Sequence, residues 1–248
     1  MSDMYKAPQA ELTTGEERGD FGSIEKGIAG DYSFSIGEAI SESWRLSKGK
    51  KRTVWLAVLL YIIALGVISY VAGLITGYPP FDPMEARNAS ISSAILYQIL
   101  TIIAGVPLAA GMLMVGIKIA RGEETSGTEV FAHFDKIVPL VLATAIMYIL
   151  VGIGLVLLVI PGLYLIVAYI MAVPLIVDQN LGPWRALETS RKAISKNWFT
   201  FFGFLIVMVL LYIAGAIPLL IGLIWVVPLL SIAYGVAYRN MFGGPSRA

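Results

Sequence analysis

Long unbroken apolar blocks alternate with short charged segments along this chain, and that alternation sets its expected architecture. Apolar blocks of about 18 residues or more read as membrane-spanning helices. The first block covers residues 53–76 and the second 91–117, with a polar loop at 77–90 between them. A third and a fourth span share the run 137–177, with a turn expected near Ile160-Pro161-Gly162. A fifth and a sixth share 199–238, turning between Ala216 and Gly222. The last four blocks are only about 15–23 residues each, so a pair of re-entrant hairpins is the alternative to full crossings. Full crossings are preferred, because irregular turns at membrane depth need protein cover.

Between the blocks lie three segments expected to form amphipathic surface helices. In GPWRALETSRKAISKNW (182–198), Trp184, Leu187, Ile194 and Trp198 share one stripe. Arg185, Glu188, Lys192 and Lys196 occupy the other side, with Glu188 placed to pair with Lys192 one turn on. Such a basic helix, leading straight into an apolar run, suits the plane of a membrane surface. Residues 32–50 repeat the theme: Ser35 and Glu38 fit a capping box, and Ile36, Ile40 and Trp44 recur at a spacing of four. In 121–136, Ser126 and Glu129 fit a second capping box ahead of Val130, Phe131 and Phe134.

Charge fixes the expected orientation. The net charge is only +1, but every Lys and Arg except Arg87 lies in the N-terminal tail, the three surface segments and their edges, or the C-terminal end. The positive-inside rule then places both termini in the cytoplasm, with six crossings. Trp44, Trp55, Trp184 and Trp198 gather at that same boundary, where amphipathic rings prefer to sit. Composition agrees with a membrane protein: 57% of residues are hydrophobic, 14% are charged and the mean hydropathy is +0.78. The first apolar block begins near Thr53, too late for a secretory signal peptide. Residues 1–31 lack hydrophobic periodicity and read as a disordered cytoplasmic tail, 32–241 as one membrane domain, and 242–248 as a short cytoplasmic end.

Within the membrane domain, three units of surface helix, span, turn and span emerge at about 32–120, 121–180 and 181–241. Each second span contains Val-Pro-Leu, around Pro107, Pro174 and Pro228, and eleven residues beyond each Pro comes a base: Lys118, Arg185 or Arg239. Proline removes one helical hydrogen bond, so a kink is expected at all three positions. The tripeptide also occurs at Val138-Pro139-Leu140, outside the pattern.

Little in the spans offers chemistry. No ionisable side chain sits mid-span, which argues against proton relays and voltage sensing. Cysteine is absent, and the single histidine, His133, cannot build a metal cage alone. Asp82 and Glu85 share an exposed loop with Arg87 and read as solvated charges before catalytic ones. Small residues four apart, at Gly105/Ala109, Gly116/Ala120 and Ser231/Gly235, mark close helix contacts. No catalytic residue, cofactor site, metal site or nucleic-acid surface is expected. The interaction chemistry lies in the juxtamembrane bases Arg45, Lys48, Lys50, Lys51, Arg52, Arg185, Lys192 and Lys196, which suit anionic lipid headgroups.

The expected function is therefore a non-enzymatic scaffold that organises lipids or a membrane-protein partner through these helices. The alternative is a transporter or channel for a small neutral or amphiphilic molecule, with the three Pro-kinked spans lining a path that cysteines at Gln98, Thr101 and Thr144 would probe.

The string ALETSRKAISKNW before paired spans, preceded by PLIVDQNLGPW, resembles uncharacterised bacterial inner-membrane families. It is similar to the YciC-like proteins and to the membrane domain fused to some glycerophosphodiester phosphodiesterases. The resemblance implies an all-helical protein of six spans in a bacterial plasma membrane. It carries no catalytic residue, since this chain has no phosphodiesterase part.

Overall fold

The computed structural model describes residues 21–243, and every regular element among them is helical. Part of the expected N-terminal tail is ordered. A short helix α1 (Ile24–Ala29) starts where the Ser23 hydroxyl accepts from the Lys26 N–H and ends at Gly30 in the left-handed region, φ 83°. Ile24 packs on the main core, so residues 21–31 correct the structureless reading; residues 1–20 and 244–248 lie outside the described residues.

Helix α2 (Ile36–Leu46) begins at Ser35, whose hydroxyl caps the Glu38 N–H as its capping box requires. Its buried residues are Ala39 and Ser43, while Trp44 is 50% exposed. A four-residue turn leads into α3 (Lys51–Thr76). The polar loop after α3 holds α4 (Pro83–Asn88), capped by Asp82, whose Oδ1 accepts from the N–H groups of Met84 and Glu85. That carboxylate is thus committed to a cap. Next comes α5 (Ile91–Ala120), which contains Pro107.

The segment 121–136 does not form the expected helix. It makes two 3-10 turns, Gly127–Phe131 and Phe134–Lys136, and the Ser126 hydroxyl bonds Thr128 instead of capping a backbone N–H. The turns bury Val130 against α3 and α5, so a packing site overrides the local capping pattern.

The third apolar run becomes α6 (Ile137–Leu157), α7 (Val159–Ala168) and α8 (Ala172–Asp178). The hairpin turns at Leu158, in extended conformation, two residues before the expected site. Pro161 falls inside the first turn of α7, where a missing N–H costs nothing. The two arms meet at Gly154 and Gly162: a Cβ on Gly154 would lie 2.9 Å from the Gly162 nitrogen. Then follow α9 (Pro183–Lys196), α10 (Trp198–Ala216) and α11 (Leu223–Phe242), with the last turn at 217–222 as expected. Phe242 is buried in α11, so the ordered domain runs past residue 241.

Six of these helical segments are long and apolar enough to cross a membrane. Their outer faces carry exposed Leu, Ile, Val and aromatic side chains, a composition that suits lipid and not water. Inside, α5 and α11 form the most extensive helix pair. A Cβ on Gly116 would stand 2.1 Å from the Ser231 carbonyl oxygen, and one on Gly235 would stand 2.3 Å from the Gly116 oxygen. Only glycine permits that backbone approach, and close contact of small residues is how helices associate in lipid.

The prolines are accommodated in two ways. Pro107 and Pro228 lie within continuous helices, as expected. Pro174 does not kink one helix; the chain is interrupted at 169–171, and Pro174 sits in the first turn of the short α8. The Ile170 carbonyl in that interruption and the Ile224 carbonyl four residues before Pro228 both find donors on other helices. Tyr234 Oη donates to the Ile170 oxygen at 2.7 Å, and Trp55 Nε1 donates to the Ile224 oxygen at 3.1 Å. The interruption itself is bridged by Ser190 of α9. Its buried hydroxyl donates to the Ala168 oxygen at 2.7 Å and accepts from the Met171 N–H at 3.2 Å.

Candidate functional site

Almost all charge in the described chain collects where α2, α9 and the 3-10 turns meet the ends of α5, α8 and α11. The reason is sequence placement: the apolar runs ending at 117, 177 and 238 stop at Lys118, Asp178 and Arg239, and the charged side chains there find partners in the fold. Arg121, just past α5, forms a fork to Asp178 at the end of α8, with both N–H···O distances 2.7 Å. Both side chains are 3% exposed. Tyr238 Oη and Gln179 Nε2 each donate to Asp178 Oδ2 at 2.9 Å, the Arg121 guanidinium also donates to the Gly243 carbonyl, and it stands 5.5 Å from the Tyr238 ring centre. An Arg–carboxylate fork this dry holds only because its remaining polar contacts are nearly complete; Arg121 Nε is left without a partner among the described residues.

A second fork joins Arg239 of α11 to Glu42 of α2, at 3.0 and 2.8 Å. Arg239 also donates to the Ala120 carbonyl, one of the orphan acceptors at the end of α5, where a cation is electrostatically favoured. Lys118 pairs with Glu129 of the first 3-10 turn at 2.8 Å, and His133 Nε2 lies 3.1 Å from the same carboxylate. The three bases that follow the Val-Pro-Leu motifs therefore have unlike surroundings: Arg239 is buried, Lys118 half-buried and paired, and Arg185 exposed.

Helix α9 packs against α6, α7, α8 and α1, burying Ala186, Leu187, Thr189, Ser190, Ala193 and Ile194. Leu187 and Ile194 are on the inner face as expected, whereas Trp184 is 61% exposed and Trp198 belongs to α10. Ala186, Ser190 and Ala193 let that inner face lie close to its neighbouring helices. Glu188 does reach Lys192, at 3.4 Å, but its main partner is Arg191, at 2.8 and 2.9 Å. The Arg191 hydrogen bonds hold the Glu188 carboxyl below the usual carboxylate range.

The outer bases are placed differently. Arg45, Lys48, Lys50 and Arg52 are exposed around the α2–α3 junction, beside Trp44, and no carboxylate lies within ion-pair distance of them among the described residues. Lys51 is half-buried with its ammonium 5.3 Å from the Trp225 ring centre. Arg185 and Lys196 are exposed on α9 together with Lys192. Next to Arg239, a polar cavity of about 610 Å³ is lined by Phe21, Lys26, Tyr32, Glu38 and Asn240 among others. Of the three polar span residues singled out in the sequence, Gln98 and Thr101 line one small cavity, and Thr144 is buried away from it. No cluster of three or more His, Asp or Glu able to hold a metal occurs among the described residues.

The fold thus defines an all-helical, multi-pass membrane protein with one strongly charged end. No family model matches the chain, and no solved structure matches it. It is similar to an uncharacterized protein of Mycobacterium bovis, 26% identical over 228 residues, covering 85% of this chain and 70% of that protein. Uncharacterized proteins of two strains of Mycobacterium tuberculosis match to the same extent. The comparisons give no support to the resemblance to YciC-like or phosphodiesterase-linked domains.

Proposed function

We propose that this protein is a non-enzymatic component of a bacterial inner membrane that gathers anionic lipid around its charged, cytoplasmic end. One observation carries the reading: the inner bases are spent on ion pairs, whereas Arg45, Lys48, Lys50 and Arg52 are exposed at the mouth of α3 with no ion-pair partner among the described residues. Each such base near an anionic surface contributes about 1 kcal/mol of attraction. Trp44, half exposed beside them, supplies the amphipathic ring that favours the headgroup layer. The bacterial source of the similar proteins agrees with a plasma-membrane location. A related packing favours three repeated units: α2 lies on α11, the first 3-10 turn on α5 as well as α3, and α9 on α8 as well as α6 and α1, so each surface segment touches the last helical segment of the unit before it, cyclically. Ala39/Ser43 and Ala186/Ser190 are the matching buried pairs of α2 and α9. This supports a threefold repeat in which the exposed bases form a collar.

The test is thermal unfolding in mixed micelles titrated with phosphatidylglycerol or phosphatidylcholine. Phosphatidylglycerol should raise the Tm of the wild type, and the combined variant Arg45→Gln/Lys48→Gln/Lys50→Gln/Arg52→Gln should lose most of that rise while matching the wild type in phosphatidylcholine. An equal rise in the variant would overturn the reading.

A further inference from the structure

The cavity lined by Gln98 lies on the apolar part of the bundle, away from the charged end. Its volume is about 230 Å³, and Tyr61 of α3, Gln98, Thr101, Gly105 and Ala109 of α5, and Tyr148 of α6 border it. Gly105 and Ala109 leave the space, and polar groups from three helices surround it. The Thr101 hydroxyl is satisfied within its own helix by the carbonyls of Tyr97 and Gln98. The Gln98 amide and the Tyr61 and Tyr148 hydroxyls make no hydrogen bond among the described residues.

Unpaired polar groups are expensive in hydrocarbon. Tyrosines near span ends escape that cost by reaching the headgroups, but Tyr148 sits midway along α6 (Ile137–Leu157). At 1.5 Å per residue its Cα is about 13–17 Å from either end, beyond the reach of a phenol. Gln98 is exposed, and Tyr148 is 59% exposed, so both face whatever surrounds the bundle.

We infer that this notch binds the head of an uncharged lipid bearing free hydroxyl groups, of the acylglycerol or long-chain alcohol type, with its chains left in the bilayer. Three features select that chemistry. The residues bordering the notch include no ionisable group except the two phenols, so a charged head would have no counter-charge. An amide and two phenols offer donors and acceptors together, which a hydroxyl answers with both of its own. The volume falls below the 300–1,000 Å³ typical of sites that enclose a whole ligand, so it suits a head and not a body. This site is independent of the headgroup collar at the charged end.

The experiment reconstitutes the full-length protein in phosphatidylcholine vesicles with a few mole per cent of a photoactivatable diacylglycerol. A photoactivatable triacylglycerol, which has the same chains and no hydroxyl, is the control. Diacylglycerol labelling should concentrate around Tyr61, Gln98 and Tyr148, and triacylglycerol labelling should spread over the outer helix faces. Tyr61→Phe/Gln98→Leu/Tyr148→Phe should cut diacylglycerol labelling there at least fivefold, with the Tm unchanged or raised. If the triple variant does not fold, Tyr148→Phe alone should still lower the labelling at least twofold. Equal labelling by the two probes, or labelling indifferent to the variants, overturns the site. Efficient disulfide dimerisation of Gln98→Cys in native membranes also overturns it, by showing that a second copy fills the notch.

Discussion

Tyr234 donates its hydroxyl proton to the carbonyl of Ile170 at 2.7 Å, and that carbonyl lies in the break between α7 and α8, where no helical donor reaches it. A defect in one helix is thus repaired from another 64 positions along the chain. Ser190 repairs the neighbouring Ala168 carbonyl and Met171 N–H in the same way. Tyr234→Phe and Ser190→Ala should each lower stability by about 1 kcal/mol. Tyr212→Phe, on an exposed face, should change nothing measurable. Chemical or thermal unfolding in detergent reads all three.

The α5–α11 crossing is expected to be the least tolerant place in the molecule. A single methyl at Gly116 would meet the Ser231 backbone at 2.1 Å, and backbone cannot rotate away as a side chain can. Gly116→Ala should therefore cost about 3 kcal/mol or more. Gly66→Ala, where nothing lies within 4 Å, should be neutral or slightly stabilising. Folded yield and Tm of the two variants make the comparison.

The Arg121–Asp178 fork predicts a strongly non-additive pair. Arg121→Met or Asp178→Leu alone leaves a dry, uncompensated charge on the other partner and should cost about 3–5 kcal/mol. The double variant Arg121→Met/Asp178→Leu should recover much of that loss, since a packed apolar pair needs no counter-charge. A double-mutant cycle on the Tm gives the coupling, and an additive result would rule out the pair as a unit.

The helical segments and their turns were legible because apolar blocks, Gly and Pro are local signals. The Ser35 cap and the 217–222 turn were readable for the same reason. The ion pairs inside the charged end were not. Arg121 and Asp178 are 57 positions apart, and each looked like an ordinary basic or acidic edge of a span. No periodicity couples two span ends; only the packing of α5, α8 and α11 does. The face of α9 that packs between helices was hard to read because much of it is Ala186, Ser190 and Ala193, which carry little apolar signal. Helix α1 escaped notice because six residues are too few for a period, although Ser23 and Gly30 do mark its ends.

Glu188 sets an acid-side pH dependence for α9. Its carboxyl is held below the ordinary value of 4.5, first by the Arg191 hydrogen bond and also by the charges of Arg191 and Lys192. A depressed carboxylate contributes stability that is present above 4.5 and is lost as pH falls through the lowered value. The Tm should drop less steeply on acidification in Glu188→Gln than in the wild type. Parallel pH curves would show that the Arg191 pair contributes nothing.

The most direct measurement concerns the sidedness of the charged end, on which the proposed function rests. The chain has no cysteine, so Lys48→Cys and Asp82→Cys each provide one clean reporter. In intact bacterial spheroplasts, a membrane-impermeant maleimide should label Asp82→Cys at once and Lys48→Cys only after the membrane is opened. Labelling of Lys48→Cys from outside, or of both sites from the same side, would contradict the account.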